Sequence, residues 1–327
     1  MTKPMRDGLL RRLRSPDTVF QLTLLAIFVV VFLLLAATSD RFVTSANLWN
    51  IVRQAAPTLI VAVGMTFVIT VGGIDLSVGS MLAVIAVLSA LSLSVGWPIW
   101  LMVLAMLALG VALGWFNGYF TAYQSIPAFI VTLATLSILR GTAQLITKGY
   151  SIPVAPDSPF LWLGRGRVLD VPVPAILAII VVIVGYVLLN HTRFGLYVTG
   201  IGSNEEGVRR AGVNVRRIKL FVFMFSGLAV ALGGMVTSAR LASGSSYSGV
   251  AFELQVIAAV IVGGTNLFGG EGRMLGTVMG TLLLAMIGNG LILAQTDAFY
   301  QQIIEGAIIL AAIWFNLVLA RQRRSPR

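Results

Sequence analysis

The sequence predicts an all-α, polytopic membrane protein with about ten transmembrane helices. Three observations carry this. Of 327 residues, 57% are hydrophobic and only 11% are charged, against roughly 25% charged in soluble domains. Apolar runs long enough for a spanning helix, about 20 residues, recur along the whole chain. The mean hydropathy of +0.93 leaves too little polar sequence to cover a soluble surface.

The spans read, in order, as 19–38, 47–71, 77–95, 97–123, 126–147, 172–190, 217–240, 252–264, 273–295 and 299–320. The first follows a basic tail, residues 1–18, as a secretory signal would. Its apolar run is long for a signal and no small-residue cleavage site follows, so it reads as a membrane helix. The eighth span is short. The Gly-rich stretch behind it has the composition of a re-entrant segment, which at membrane depth must be buried in protein or line a cavity. Gly110 and Gly114 in the fourth span form a G-x-x-x-G, read as close helix packing and not by itself as a dimer interface.

An even number of spans places both termini on one side. The basic residues choose the side. Lys3, Arg6, Arg11, Arg12 and Arg14 precede the first span, and Arg321, Arg323, Arg324 and Arg327 fill the tail 321–327. Arg193, Arg209, Arg210, Arg216, Arg217 and Lys219 surround the polar loop 191–216. Such clusters beside membrane ends mark the cytoplasm and suit anionic lipid headgroups. Clustered this way, the net charge of +11 reports topology and gives no reason to invoke nucleic acid. Segments 148–171, rich in Pro and Gly, and 241–251, with Ser-Gly-Ser-Ser at 243–246, then read as external loops. Residues 19–320 form a single transmembrane domain, with no soluble domain or linker.

Several chemistries lack their residues. There is no cysteine, hence no disulfide or thiolate site. The one histidine, His191, sits beside a membrane end and reads as a solvated interface residue. The three lysines, Lys3, Lys148 and Lys219, never follow a glycine, so the phosphate-binding G-x-x-x-x-G-K-[ST] loop is missing. No nucleophile pairs with a base, and no metal set is evident. The chain is expected not to be an enzyme and to hold no cofactor of its own.

The most informative stretch is VGGIDLSVG at 71–79, which returns as VGGTNLFGG at 262–270. Both copies interrupt apolar runs on the same side. The candidate break residues are Gly72, Gly73, Asp75 and Gly79 in the first copy. In the second they are Gly263, Gly264, Asn266, Gly269 and Gly270. Glycines permit tight turns and close backbone contact, and Asp or Asn accepts N–H groups at a helix start. Asp75 reads as a cap on the third span. A part in a gate or transport path is the other reading, because ionisable groups near a membrane interior are functional candidates. Repeated, interrupted helices of this kind are a transporter feature.

Loop 191–216 holds Glu205 and Glu206 followed by Arg209 and Arg210, at i,i+4 spacing that favours a short surface helix. A membrane chain without its own motor would need such a handle on the cytoplasmic side.

Four motifs in order then carry a family resemblance: GIDLSVGS, PAFIVTLATLSILRG (127–141), GSNEEGVRRAGVNVRRIK (202–219) and IVGGTNLFGGEGRMLGT (261–277). Over about residues 45 to 318 the chain resembles the permease subunit of bacterial ABC importers for monosaccharides, the ribose/xylose/arabinose/galactose type. The resemblance implies a multi-pass protein of the bacterial inner membrane. It implies a second permease subunit, as homodimer or heterodimer, a cytoplasmic ABC ATPase holding the ATP and Mg, and a periplasmic sugar-binding protein. It also implies a coupling helix at 203–213 that docks on the ATPase, where Asn204, Glu206, Arg209 and Gly212 match the family pattern and Glu205 adjoins them. Gly207 and Val208 depart from it, standing where an Ala-Ala pair is usual.

The competing reading is an ion-coupled secondary transporter of a small polar solute, with Asp75 and Glu305 as its embedded acids. Other polar residues that would suit a sugar path are Asn47, Asn50, Arg53 and Gln54 on the second span, Asn117, Tyr119 and Tyr123 on the fourth, and Gln301, Gln302 and Glu305 on the tenth. Arg140 on the fifth is a conceivable partner for Glu305. No residue is assigned to the sugar from sequence.

Overall fold

Prolines, glycines and small polar residues at the ends of the apolar runs decide where each helix starts and stops. The computed structural model describes residues 16–297 and, beyond them, positions 300, 303, 304, 306, 307, 310, 311 and 314. Helix α1 is Pro16–Thr38, starting inside the expected tail. Then come α2 Ser45–Thr70, α3 Val78–Ser94, α4 Ile99–Ala122 and α5 Ala128–Thr147. A connecting region follows, with strand β1 Ile152–Pro153, a 3-10 turn Pro159–Leu161, α6 Trp162–Arg165 and the hairpin β2 Arg167–Val168/β3 Val171–Pro172. The chain continues as α7 Val173–His191, α8 Arg193–Arg210, α9 Val215–Leu241, strand β4 Ser243–Gly244, α10 Phe252–Val262 and α11 Met274–Leu293. Thr44 caps α2 by accepting the Asn47 N–H at 3.3 Å, and Pro98, Pro127 and Pro172 stand directly before α4, α5 and α7, where a missing N–H disturbs no helical bond.

Among the described residues, seven helices are long and apolar enough to cross a membrane: α1, α2, α4, α5, α7, α9 and α11. Of the ten expected spans, the third is 17 residues long and the eighth only 11. At 1.5 Å per residue α10 reaches about 16 Å, half a bilayer core of about 30 Å. The expected tenth span and C-terminal tail lie outside the described residues but for the scattered positions above, as do residues 1–15.

Helices α2 and α9 form the centre and pack on one another, with Ile60, Met65, Phe67, Phe223 and Met235 fully buried. Helix α1 lies at the edge against α11 and exposes Leu33 and Leu34, an apolar face suited to lipid. Gly110 and Gly114 are consumed inside the chain. They let α4 touch the backbone of α9 at Phe223 and Gly227, where any Cβ would overlap a carbonyl.

The expected external segment 241–251 is turn-rich and exposes Tyr247 and Val250, and it folds back against the helices. β4 pairs antiparallel with β1, Ile152 opposite Gly244 and Pro153 opposite Ser243. The chain then runs back along α3, with Gly244 on Ala86 and Val87 and Gly249 on Gly79. Ser246 is fully buried. Ala242 and Ala251, both left-handed at φ 54° and 59°, turn the chain into and out of this stretch. Backbone packed against helices outside regular secondary structure has polar groups to satisfy. The Arg140 guanidinium on α5 supplies donors to the carbonyls of Ser246, Ser248 and Gly249 at 2.5, 2.9 and 2.9 Å.

Candidate coupling site

The first break begins as a glycine-terminated helix end. Gly72, at φ +87°, donates to the Ile69 carbonyl at 2.9 Å, and Gly73 donates to the Val68 carbonyl at 2.8 Å. This is a Schellman arrangement. Asp75 follows, 1% exposed. Its Oδ1 accepts the Ser77 N–H at 3.0 Å and the Ser77 hydroxyl at 2.6 Å. Asp75 therefore opens α3 through an Asx turn, two residues ahead of the capping position that Ser77 occupies. Asn117 Nδ2 donates to Ser77 Oγ at 2.9 Å, Thr135 donates to Asn117 Oδ1 at 2.7 Å, and Thr132 donates to the Ile74 carbonyl at 3.1 Å. A buried polar chain thus ties the break to α4 and α5. Asn117, considered from sequence as a path residue, belongs to this chain.

The second break repeats the parts with a slip. Gly264, not Gly263, is the left-handed residue at φ +87°. Gly264 donates to Ile261 at 2.8 Å and Thr265 to Val260 at 3.2 Å. The Schellman turn therefore sits one residue later in the motif than in the first copy. The Asx turn keeps its register: Asn266 Oδ1 accepts the Phe268 N–H at 3.1 Å. Asn266 does not reach the next helix, which begins at Met274. Thr265 closes the gap instead, accepting the Arg273 N–H at 3.1 Å. Gly263 serves a close approach to Gly276 on α11, and its neighbour takes the left-handed turn.

Between the two breaks lies the expected coupling helix. Helix α8 is interrupted at Asn204, at φ −158° and ψ 89°. Asn204 Oδ1 accepts the Gly207 N–H at 3.0 Å, so it caps a separate short helix over 205–210. Gly212, left-handed at φ +84°, ends that helix by donating to the Arg209 carbonyl at 3.0 Å. Glu205 pairs with Arg209 at 3.0 Å and with Lys219 at 2.6 Å, and Glu206 pairs with Arg210 at 3.0 Å. The exposed i,i+4 pairs contribute little, about 0.3–0.5 kcal/mol each. The Lys219 contact is the more sheltered and fastens the short helix to α9. Partial burial pushes the Glu205 carboxyl up, but the hydrogen bond and charge of Lys219 and those of Arg209 outweigh it, and its pKa ends below the ordinary value. Arg209, Arg210, Ala211 and Gly212 are exposed.

The three pieces meet backbone to backbone. The Gly270 N–H donates to the Thr70 carbonyl at 2.9 Å. A Cβ on Gly202 would overlap both that carbonyl and the Gly270 nitrogen. Gly269 lies on Gly72, Gly270 on Ser203, and Gly272 on the Thr70 hydroxyl. The end of α2, the stretch just before the coupling helix and the second break form one knot. Of the sequence-chosen residues, Gly72, Gly269 and Gly270 are in it. Asp75 is directed toward α4 and α5, Gly79 packs on Gly249 and Glu253, and Gly264 packs on Phe20. Thr70, Gly202 and Ser203 were missed. The available signal was a second small-residue pair, Gly200 and Gly202, directly before Asn204. Beside the knot a cleft of about 680 Å³ opens, bordered by Gly72, Ser125, Pro127, Glu205, Arg216 and Lys219.

The remaining polar candidates fall elsewhere. Asn47 and Asn289 exchange reciprocal amide hydrogen bonds at 2.9 and 3.0 Å, and Arg53 donates to Asn50 at 2.9 Å. Arg140 serves the carbonyls named above. Gln301, Gln302 and Glu305 lie outside the described residues.

A family model described as "Branched-chain amino acid transport system / permease component" matches residues 47–313. The chain is 40% identical over 292 residues to the ribose import permease protein RbsC of Haemophilus influenzae, covering 88% of this chain and 90% of that protein. It is 39% identical over 296 residues to the Escherichia coli ribose import permease protein RbsC, covering 90% and 92%. With the Escherichia coli xylose transport system permease protein XylH it shares 34% identity over 366 aligned positions, 92% of each chain. No solved structure gives a significant match. The chain is a multi-pass membrane protein, and it belongs to this family of transport-system permease components.

Proposed function

We propose that the chain is the membrane-spanning permease subunit of an ABC importer that carries a monosaccharide or related polyol across the bacterial inner membrane. A periplasmic binding protein delivers the solute, and a separate cytoplasmic ATPase, holding ATP and Mg, drives the cycle. Two permease subunits, alike or similar, enclose the path, each with about ten spans and both termini in the cytoplasm. The basic residues around the knot support that orientation, and the ribose and xylose relatives support the solute class.

The single observation that carries the reading is the knot. The exposed helix at 205–210 is offered to a partner. Two residues before its cap, Gly202 touches both the end of α2 and the second break. A displacement of the helix is passed to both interrupted segments with no side chain to absorb it. That is what a motor-driven gate needs.

The test is purification from the native host after gentle extraction. A stoichiometric P-loop ATPase in the complex is the expected result. Replacing residues 205–210 by a Gly-Ser linker should leave the permease in the membrane while sugar uptake and stimulated ATP hydrolysis fall to background. Uptake that survives the replacement, or a complex that never contains an ATPase, would refute the reading.

A further inference from the structure

At the end of the bundle opposite the knot, a cavity of about 330 Å³ opens between α2, α9, α10 and α11. Its walls carry Gln54 and Thr58 from α2, Arg240 from α9 and Gln255 from α10, with the Phe252 ring beside them. Among the described residues, no side-chain hydrogen bond occupies the two glutamine amides or the Thr58 hydroxyl, and Arg240 Nε is buried without a partner. Of the other lining polar residues, Ser248 offers its hydroxyl while its carbonyl accepts from Arg140, and three are engaged elsewhere. Thr237 donates to Gly233, Thr281 donates to Thr277, and Asn289 is paired with Asn47.

We propose that this cavity is the monosaccharide's resting site within the permease, with Gln54, Thr58, Arg240 and Gln255 as its hydroxyl-binding groups. The inference rests on the permease reading above and supplies the substrate site that reading leaves blank. At about 30 Å³ per water the volume equals about eleven waters, room for a sugar ring. Amides and a hydroxyl both donate and accept, as a polyol requires, and a guanidinium adds donors in a fixed plane. No Asp or Glu lines the cavity, and Arg53 adds a second positive charge near Arg240. The site therefore takes neutral sugars and disfavours protonated amino sugars. Arg240 is braced from behind, its carbonyl accepting from Arg165 Nε at 2.9 Å. Two helices run from the cavity to the knot. Phe252 and Gln255 face the cavity at the start of α10, and the second break follows its end at Val262. Gln54 and Thr58 lie on α2, whose last residue, Thr70, is in the knot. Motion at the knot reaches the sugar through these two rods.

The chain has no cysteine, so single cysteines can be read without background. The ATPase-bound complex carrying Leu284→Cys or Gly288→Cys, two lining positions with no part in holding the sugar, or, as a control on the outer face of α1, Leu34→Cys is placed in vesicles. A panel of pentoses, hexoses and inositol first identifies the solute that wild type takes up. A small charged thiol reagent is then applied with and without that solute. The expected result is labelling at 284 and 288 that slows about tenfold at about ten times the solute's Kd, with no protection by glucosamine. Leu34→Cys should show no protection by any sugar. Full-rate labelling at 284 and 288 under saturating transported sugar, or no labelling at either, overturns the site while uptake leaves the permease reading standing. If wild type takes up no member of the panel, the permease reading itself has failed, and the site falls with it.

Discussion

Asp75 concentrates the chemistry of the first break in one oxygen. Its Oδ1 receives both the backbone and the hydroxyl of Ser77, and Ser77 in turn receives Asn117. Removing that acceptor strands a buried N–H, and such groups cost about 1–3 kcal/mol each. Asp75→Ala should therefore lower the melting temperature of the purified permease by several degrees and reduce its level in the membrane. Asp75→Asn retains an acceptor oxygen and should stay close to wild type in both measurements. Equal melting of Asp75→Ala and wild type would remove this role, and a damaging Asp75→Asn would return attention to the charge. Glycine matters at this scale mainly at Gly72 and Gly264, the two left-handed helix ends. An alanine there meets a backbone conformation it resists.

At the scale of elements, the short helix at 205–210 is held to the body chiefly by Glu205 and Lys219. The Glu205 carboxyl titrates below its ordinary value in the folded protein. Its stabilising contribution is therefore complete above the ordinary carboxylate range, about pH 4 to 5, and is lost as the pH falls from there through the folded value. The difference in melting temperature between wild type and Glu205→Gln should stay constant from about pH 7 to 5 and shrink below that. A difference that shrinks instead between pH 7 and 5 would contradict the assignment.

Elements are also where sequence reading succeeded and failed in instructive ways. Long spans such as α4 and α7 were legible because an apolar run of bilayer length has few alternatives. The short helix at 205–210 was legible because Glu205–Arg210 carries its own i,i+4 pairing. The path of 243–251 was not. Ser and Gly mark a free turn and a packed one equally well, and what holds this one against the helices is Arg140, more than 100 residues earlier in the chain. The one-residue slip between the two breaks was hidden for a similar reason. The glycine pair is the same in both copies, and the two helices before it end one residue apart in the motif, at Thr70 and at Val262.

At the scale of the whole molecule the knot joins the end of α2, the stretch before the short helix and the second break, and the proposed coupling through it tests simply. Gly202 lies within α8, where alanine is ordinarily the better helix former by about 1 kcal/mol. Here the added Cβ overlaps Thr70 and Gly270. Gly202→Ala should leave the complex assembled with its ATPase but cut sugar uptake at least about tenfold, equivalent to about 1.4 kcal/mol. Gly141→Ala, at a helical glycine with open space around it, should leave uptake unchanged. Wild-type uptake by Gly202→Ala would mean that force does not travel through this contact. The family and the direction of the reading were legible from four ordered motifs. The knot was not, because its contacts are between main chains, and main-chain contacts leave only glycines behind as their trace.

Arg140 also imposes an order on synthesis. Its guanidinium is satisfied by carbonyls 106 to 109 residues later in the chain. A ribosome adding about 5–20 residues per second makes those carbonyls some 5 to 20 seconds after α5 has emerged. An arginine at the centre of a membrane helix opposes insertion by about 2.5–3.5 kcal/mol. Helix α5 is thus born with a debt of hydration that only the arrival of Gly249 clears, and the nascent chain must keep it within reach of water, at the translocon or the bilayer surface, until residues 246–249 are made.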